Sequence, residues 1–451
     1  MESCINPESD VMVLDAQTLK DLEVFESEVE GESLFDFCNY TRTKQGAHVL
    51  KARMHRPWSN PARIRAVQES LSFIISHRQS FDRWPSFVTT DLVEHYLKLT
   101  LPPLMSKNAV EFSFGILEIR FGDYSRYAWI LRGVDATSAL ICALRKIVDS
   151  LELIAPCGEL TPILEEMRVL LARPGLSDIE EHEAWSLGPW TVMRIDQIFR
   201  LYEKGSIDRL LKLIYEVDAL LSMADVTRTH DFVMPSIEAG PLSVQAEGVL
   251  HPLVQNAVSN PVELDQGCRL LFLTGPNMAG KTTYLRACAI SIYLAHLGMG
   301  VPARSFSFVP AQRLFSSITL SDNLRTGVSF FLAEAQRVKA IAQAVADGYS
   351  VIALMDEPFK GTNVKDAFDA SRKILERFAT KEGSLFMFSS HLIELCDQLN
   401  AIDQVDCRYF EASENAGKLS FEYVIRRGVS SQRLGMRVLQ EEGIFDLLDK
   451  N

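Results

Sequence analysis

The sequence predicts two architectures in series, an all-α region followed by an α/β region on a mainly parallel sheet. Three observations predict it. Two segments of the first half carry apolar residues at steps of three and four. After about Pro235, short apolar strands alternate with helical stretches. Between one such strand and the next helix lies Gly275-Pro276-Asn277-Met278-Ala279-Gly280-Lys281-Thr282, a turn bounded by glycines.

Length and composition bound the rest. The chain has 451 residues, which at roughly 100–200 residues per domain suggests two to four domains. Hydrophobic residues make up 47% and charged residues 23%. That balance excludes a largely disordered chain, because there is ample apolar surface to bury. No apolar run approaches the roughly 18 residues a membrane-spanning helix needs. Met1 to Asp10 is polar and lacks a basic start followed by an apolar stretch, so no secretory signal is visible. The eight cysteines are scattered and none forms a CxxC pair, which argues against a structural zinc site or a disulfide framework. The expected setting is cytoplasmic or nucleoid-associated, reduced, and without a membrane partner. The formal net charge of −13 disfavours a protein that coats nucleic acid over its whole surface, while leaving room for a local basic patch.

The first seam runs Leu140, Leu144, Ile147, Leu151, Ile154 and the second Ile207, Leu210, Ile214, Val217, Leu221, Ala224. Such steps draw one apolar stripe along a helix. Both an ordinary buried face and a protruding antiparallel pair fit that stripe. Between the seams, Pro156, Pro162, Pro174, Gly175, Gly188 and Pro189 punctuate what reads as a turn region with a short helix. In the second half, Leu270 to Thr274, Val351 to Met355 and Leu385 to Phe388 read as buried strands. Tyr284 to Leu297 and Val364 to Phe378 read as helices. That alternation implies parallel strands with helical crossovers.

The turn at Gly275 fits G-x-x-x-x-G-K-[ST] and stands between a strand and a helix, as the motif requires. Its amides and the helix N-terminus would face phosphate oxygens. Lys281 would neutralise the β/γ-phosphates, and Thr282 would ligate Mg2+. Asp356 and Glu357 end the next apolar strand, where an acid holds Mg2+ and its neighbour orients a water. Ser389-Ser390-His391 ends a third strand, and His391 there would contact the γ-phosphate or its water. Asp322 to Glu334 is a Gly-containing polar turn that becomes helical, with Ser329 at the cap position.

Taken together, these segments resemble the MutS family of ABC-type ATPases. Gly275 to Thr283 matches the family's phosphate loop, Pro-Asn-Met core included. His251-Pro252-Leu253, Asn260-Pro261, Val309-Pro310-Ala311, Asp322 to Glu334, Asp356-Glu357, Gly361-Thr362 and Ser389-Ser390-His391 follow in the family's order. Arg427 to Ser430 with Leu434-Gly435 resembles its C-terminal segment, and Leu14 to Glu23, His55-Arg56-Pro57 and Asp218 to Pro235 resemble its helical core. The resemblance implies a helical core or lever domain over 1–235 and a P-loop ATPase domain over 236–451. It implies ATP and Mg2+ as cofactors, with Gly275, Pro276, Asn277, Met278, Ala279, Gly280, Lys281, Thr282 and Thr283 around the nucleotide. Lys281, Glu357 and His391 would be catalytic, and Thr282 and Asp356 would hold the metal. Ser329 would act in trans across a homodimer, or a heterodimer with another MutS-like subunit, whose closure is relayed to DNA.

The departures shape the expectation. The core-like pattern begins near residue 10, Phe25-Glu26 and Phe114 to Glu118 do not reproduce the family's Phe-x-Glu wedge, and the helical segments leave little room for a DNA clamp. The sequence ends soon after Gly443-Ile444-Phe445, without most of the family's helical dimerisation tail. Ala257 stands where an aromatic commonly stacks on adenine, and Pro358-Phe359-Lys360 replaces Ile-Gly-Arg. The expectation is a short member without mismatch-reading and connector domains, acting in DNA repair or recombination. The alternative is a nucleotide-switched protein-interaction module. A transporter or chromosome-organising ATPase is disfavoured, because no Leu-Ser-Gly-Gly-Gln-like signature or long coiled coil is present.

Overall fold

Runs of consecutive buried apolar residues build the C-terminal half, because a strand covered on both faces has no solvated side to make polar. The computed structural model describes residues 10–27, 31–100, 102–180, 186–319, 330–415 and 418–429. Its strands are β1 (Val13–Leu14), β2 (Ser236–Ile237), β3 (Val244–Val249), β4 (Asn260–Leu264), β5 (Leu270–Thr274), β6 (Ser305–Phe308), β7 (Arg313–Ser317), β8 (Val351–Asp356), β9 (Ser384–Ser389), β10 (Val405–Asn415) and β11 (Lys418–Arg427).

Seven of them form one sheet in the order β1-β7-β8-β9-β5-β10-β11. Every pairing in it is parallel except β10 with β11. The chain is thus mixed α/β with a mostly parallel sheet. A smaller sheet, β2-β6-β3-β4, holds two antiparallel pairings. One face of the large sheet offers Leu270, Phe272, Ala353, Met355, Phe386 and Phe388 to a core that includes Ile341 and Leu375 from the helices Phe330–Ala346 and Val364–Ala379. The helix Lys281–His296 packs on β8 and β9. Both faces are covered, which accounts for the unbroken apolar runs.

Contacts divide the chain into two units: Met1–Cys38, Met54–Arg65 and Thr227–Asn451 in one, Asn39–Arg53 and Ala66–Val226 in the other. The N-terminal stretch therefore belongs with the sheet, whereas the sequence groups it with the helical region in 1–235. Asp15 caps the helix Ala16–Asp21 through the Thr18 amide at 2.8 Å. Asp21, fully buried, accepts from Ser316 Oγ at 2.9 Å and from the amides of Ile318 and Thr319 at 2.7 and 3.1 Å.

The second unit is helical. Both apolar seams are buried faces, on the helices Tyr124–Glu152 and Lys204–Thr229, although Ile154 falls beyond the first helix. Tyr124–Glu152 is long and apolar enough to cross a bilayer by length and composition, yet its seam residues Leu140, Leu144, Ile147 and Leu151 face this unit's own core. The stretch between the seams is more helical than its prolines suggest, with helices at Leu160–Leu171, Pro174–Ser177 and Pro189–Gln197. Asp196 ties the unit internally, accepting from Tyr96 Oη at 2.7 Å and Arg200 Nε at 2.6 Å. Removing one member of such a buried triad costs roughly 3–5 kcal/mol.

Candidate active site

Register alone brings the chemistry together. In the parallel ladder Leu273 pairs with Ser389, Asp356 pairs with Ser389, and Thr274 pairs with Tyr409. Strands β5, β8 and β9 therefore end at one edge, which β10 passes at Tyr409. Whatever follows their last residues gathers there, the usual place for a ligand on a parallel sheet.

The turn after β5 is backbone-limited. Gly275 has φ +137°, and a Cβ there would lie 2.7 Å from the Phe410 carbonyl oxygen. Gly280 precedes the helix Lys281–His296 at φ +102°. Met278, at φ 68°, is 77% exposed, whereas Ala279 points into the core. Lys281 is buried, and its Nζ donates to the carbonyls of Gly275 and Pro276 at 2.8 and 3.1 Å. Burial lowers its pKa, partly countered by Glu357 and Asp356.

The three strand ends meet. Thr282 Oγ1 donates to Asp356 Oδ2 at 2.5 Å, and the Ser389 hydroxyl donates to the other oxygen of the same carboxylate. The Glu357 amide donates to the Ser389 carbonyl at 3.0 Å. One Glu357 oxygen takes His391 Nε2 and lies 3.6 Å from Lys281 Nζ, while the other takes Lys360 Nζ at 2.7 Å. Burial opposes ionisation of Glu357, but His391 and Lys360 outweigh it and hold the pKa down to about 2. Glu357 is therefore a carboxylate at any working pH.

Beside this cluster lies a cavity of about 450 Å³. Its walls include Pro276, Asn277, Met278, Gly280, Lys281, Thr282, Thr283 and Glu357 on one side, with His251, Val254, Ala257 and Val258 on another. Burial, with Arg286 nearby, lowers the His251 pKa to about 4, so that wall is uncharged.

Two residues of the site escaped the sequence reading. Tyr423 of β11 lines the cavity along with Ala257. Its backbone has φ 56°, and Asn260 holds it by donating to the Tyr423 carbonyl at 2.9 Å and accepting from the Ile425 amide at 2.8 Å. Only its aromatic character and its place in the strand–turn segment hinted at it. Lys360 was visible as a departure from the family pattern, but its ion pair with Glu357 was not. Ser329 lies outside the described residues, as do Asp322 and the segments at Ser430, Leu434-Gly435 and Gly443 to Phe445.

Strand ends carrying a lysine, two acids and a histidine beside a glycine turn define an α/β domain suited to an anionic ligand at its sheet edge. Residues 271–447 match the family model MutS domain V. The DNA mismatch repair protein MutS of Natronomonas pharaonis is 30% identical over 242 residues, which cover 53% of this chain and 28% of that protein. Over residues 271–447 the chain is thus similar to MutS domain V, and it spans 28% of the length of the MutS relative it matches.

Proposed function

We propose that the chain binds ATP with Mg2+ in the cavity beside the 275–283 turn and hydrolyses it. In this reading it is a MutS-type ATPase whose nucleotide-driven dimer closure acts on DNA in repair or recombination. The observation that supports this best is the meeting of Lys281, Thr282, Asp356, Glu357 and His391 at one sheet edge, three of them within ion-pair or hydrogen-bond reach of Glu357 or Asp356.

The donor set fits the cofactors. Thr282 and Asp356 present hard oxygens 2.5 Å apart. Among the described residues no cluster of three His, Cys, Asp or Glu side chains could hold a metal by itself. A site with one carboxylate and one hydroxyl suits Mg2+, which completes its shell with phosphates and water. When bound, Mg2+ neutralises charge on the phosphate oxygens. Lys281 donates to two carbonyls, and phosphate oxygens are stronger acceptors for an ammonium group. Glu357, with its pKa lowered to about 2, is a weak base but a permanent acceptor. Its role is to orient the attacking water. His391 contacts Glu357 and would meet the γ-phosphate side of the site. Val254, Val258 and Tyr423 would enclose the base. Ser329 of a second copy would complete the site across the dimer.

The test is Mg2+-dependent ATP hydrolysis by the full chain against Lys281→Ala, without DNA and with homoduplex, mismatched or branched DNA at physiological salt. Turnover that Lys281→Ala abolishes, raised by one DNA structure, is the expected result. Equal rates in both proteins overturn the enzyme reading. Turnover with no DNA binding moves the function to a nucleotide-switched partner-binding module.

A further inference from the structure

We propose that Glu334 is a positioning residue, which holds the Phe359–Gly361 turn so that Lys360 meets Glu357. The inference rests on the ATPase reading above and gives a role to Glu334, the last residue of the Asp322 to Glu334 segment, which stands apart from the side chains gathered at the sheet edge.

Glu334 lies on the helix Phe330–Ala346 and is only 2% exposed. Its two carboxylate oxygens accept from the backbone amides of Lys360 and Gly361 at 3.2 and 3.4 Å. The turn it grips is unusual. Glu357 and Phe359 have φ of 49° and 70°, the left-handed region that side chains other than glycine rarely adopt. Such conformations persist only where the surroundings over-determine them. Here the same helix supplies both restraints. Phe359 is buried with its ring 5.9 Å from that of Phe331, and the Glu334 carboxylate takes the two amides that follow.

The consequence reaches Glu357 through one side chain. Lys360 Nζ stands 2.7 Å from Glu357 Oε2, although Lys360 is 55% exposed and its long side chain would otherwise swing freely. Fixing the Lys360 backbone places that ammonium against one carboxylate oxygen and leaves the other for His391. Lys360 therefore sets the direction in which Glu357 points, and Glu334 sets Lys360.

The experiment compares the full-length wild type with Glu334→Ala, Glu334→Gln and Lys360→Met. Hydrogen exchange over 356–362 is read without nucleotide, alongside kcat and the Kd for ATP with Mg2+. Glu334→Ala should speed exchange in the turn by roughly tenfold or more. It should lower kcat by about 10–100-fold while ATP affinity holds within about twofold. Glu334→Gln keeps one acceptor and should fall between. Lys360→Met should reproduce the kcat loss with the turn still protected. Faster exchange with unchanged kcat overturns the proposal while leaving the ATPase intact, as does an unaffected Lys360→Met. Unchanged exchange in Glu334→Ala overturns it before any catalysis is measured. A wild type that protects the turn but hydrolyses no ATP instead overturns the enzyme reading, and the catalytic role of Glu334 falls with it.

Discussion

Acid should destabilise the sheet unit through His296. This histidine ends the helix that begins at Lys281 and is 0% exposed. Nδ1 is 2.7 Å from the Ile292 carbonyl and Nε2 is 2.9 Å from the Ala311 amide. A carbonyl only accepts, so Nδ1 carries the proton; an amide only donates, so Nε2 keeps its lone pair. A second proton would have to sit where the Ala311 N–H already points. Burial accordingly lowers the imidazole from 6.5 to about 4. The folded value lies below the unfolded one, so between them the unfolded chain binds more protons. Stability from neutral His296 is complete above 6.5 and drains away as pH falls towards about 4. The whole difference is worth about 3 kcal/mol, of which about 2 kcal/mol is lost by about pH 5. His251, also lowered to about 4, titrates in the same window, so the comparison must be with His296→Gln. Urea unfolding at about pH 7.5 and about pH 5 should show wild type losing about 2 kcal/mol more than the variant. Carbon-13 labelling of the histidines should show a native imidazole that stays neutral, protonated on Nδ1, to below pH 5. An imidazole titrating near 6.5, or equal losses in both proteins, would refute the reasoning.

Two further predictions concern the turn and the cavity. Gly275→Ala puts a methyl 2.7 Å from the Phe410 backbone oxygen, whereas in Gly280→Ala the nearest atom is Tyr423 Cδ1 at 3.1 Å, a side chain able to move. Both substitutions strain a positive φ at roughly 1–3 kcal/mol, so Gly275→Ala should lose more stability and more ATP affinity. Equal losses, measured by thermal unfolding and nucleotide titration, would contradict this. Tyr423→Ala should weaken ATP about tenfold through lost stacking on the base, while tripolyphosphate binding stays unchanged. A parallel loss of both would place Tyr423 outside base recognition.

What could be read in the sequence was set by whether its signal was local. Strands β5, β8 and β9 announce themselves because burial on both faces leaves runs of four or five consecutive apolar residues, with polar residues only at the strand ends. The helix after the glycine turn starts at Lys281, three residues before the apolar pattern suggests, because its first turn is spent on Lys281, Thr282 and Thr283, which face the site. The helix Leu160–Leu171 hid behind Pro162, yet a proline in a first turn sacrifices only an amide that has no helical partner. Its buried Leu160, Ile163, Leu164, Met167 and Leu171 were the better guide. Strand β1 has two residues and pairs with β7 far along the chain, so no window of sequence contains its partner. Tyr423 and Lys360 share that difficulty. A register shift between Phe410 and Ala412 and left-handed backbone at Tyr423 shape the strand pair that carries Tyr423 to the cavity. Lys360 reaches Glu357 from a turn that Glu334, on another element, pins. Motif residues are legible because phosphate chemistry dictates their spacing along the chain, whereas the residues that aim them are chosen by the fold in space.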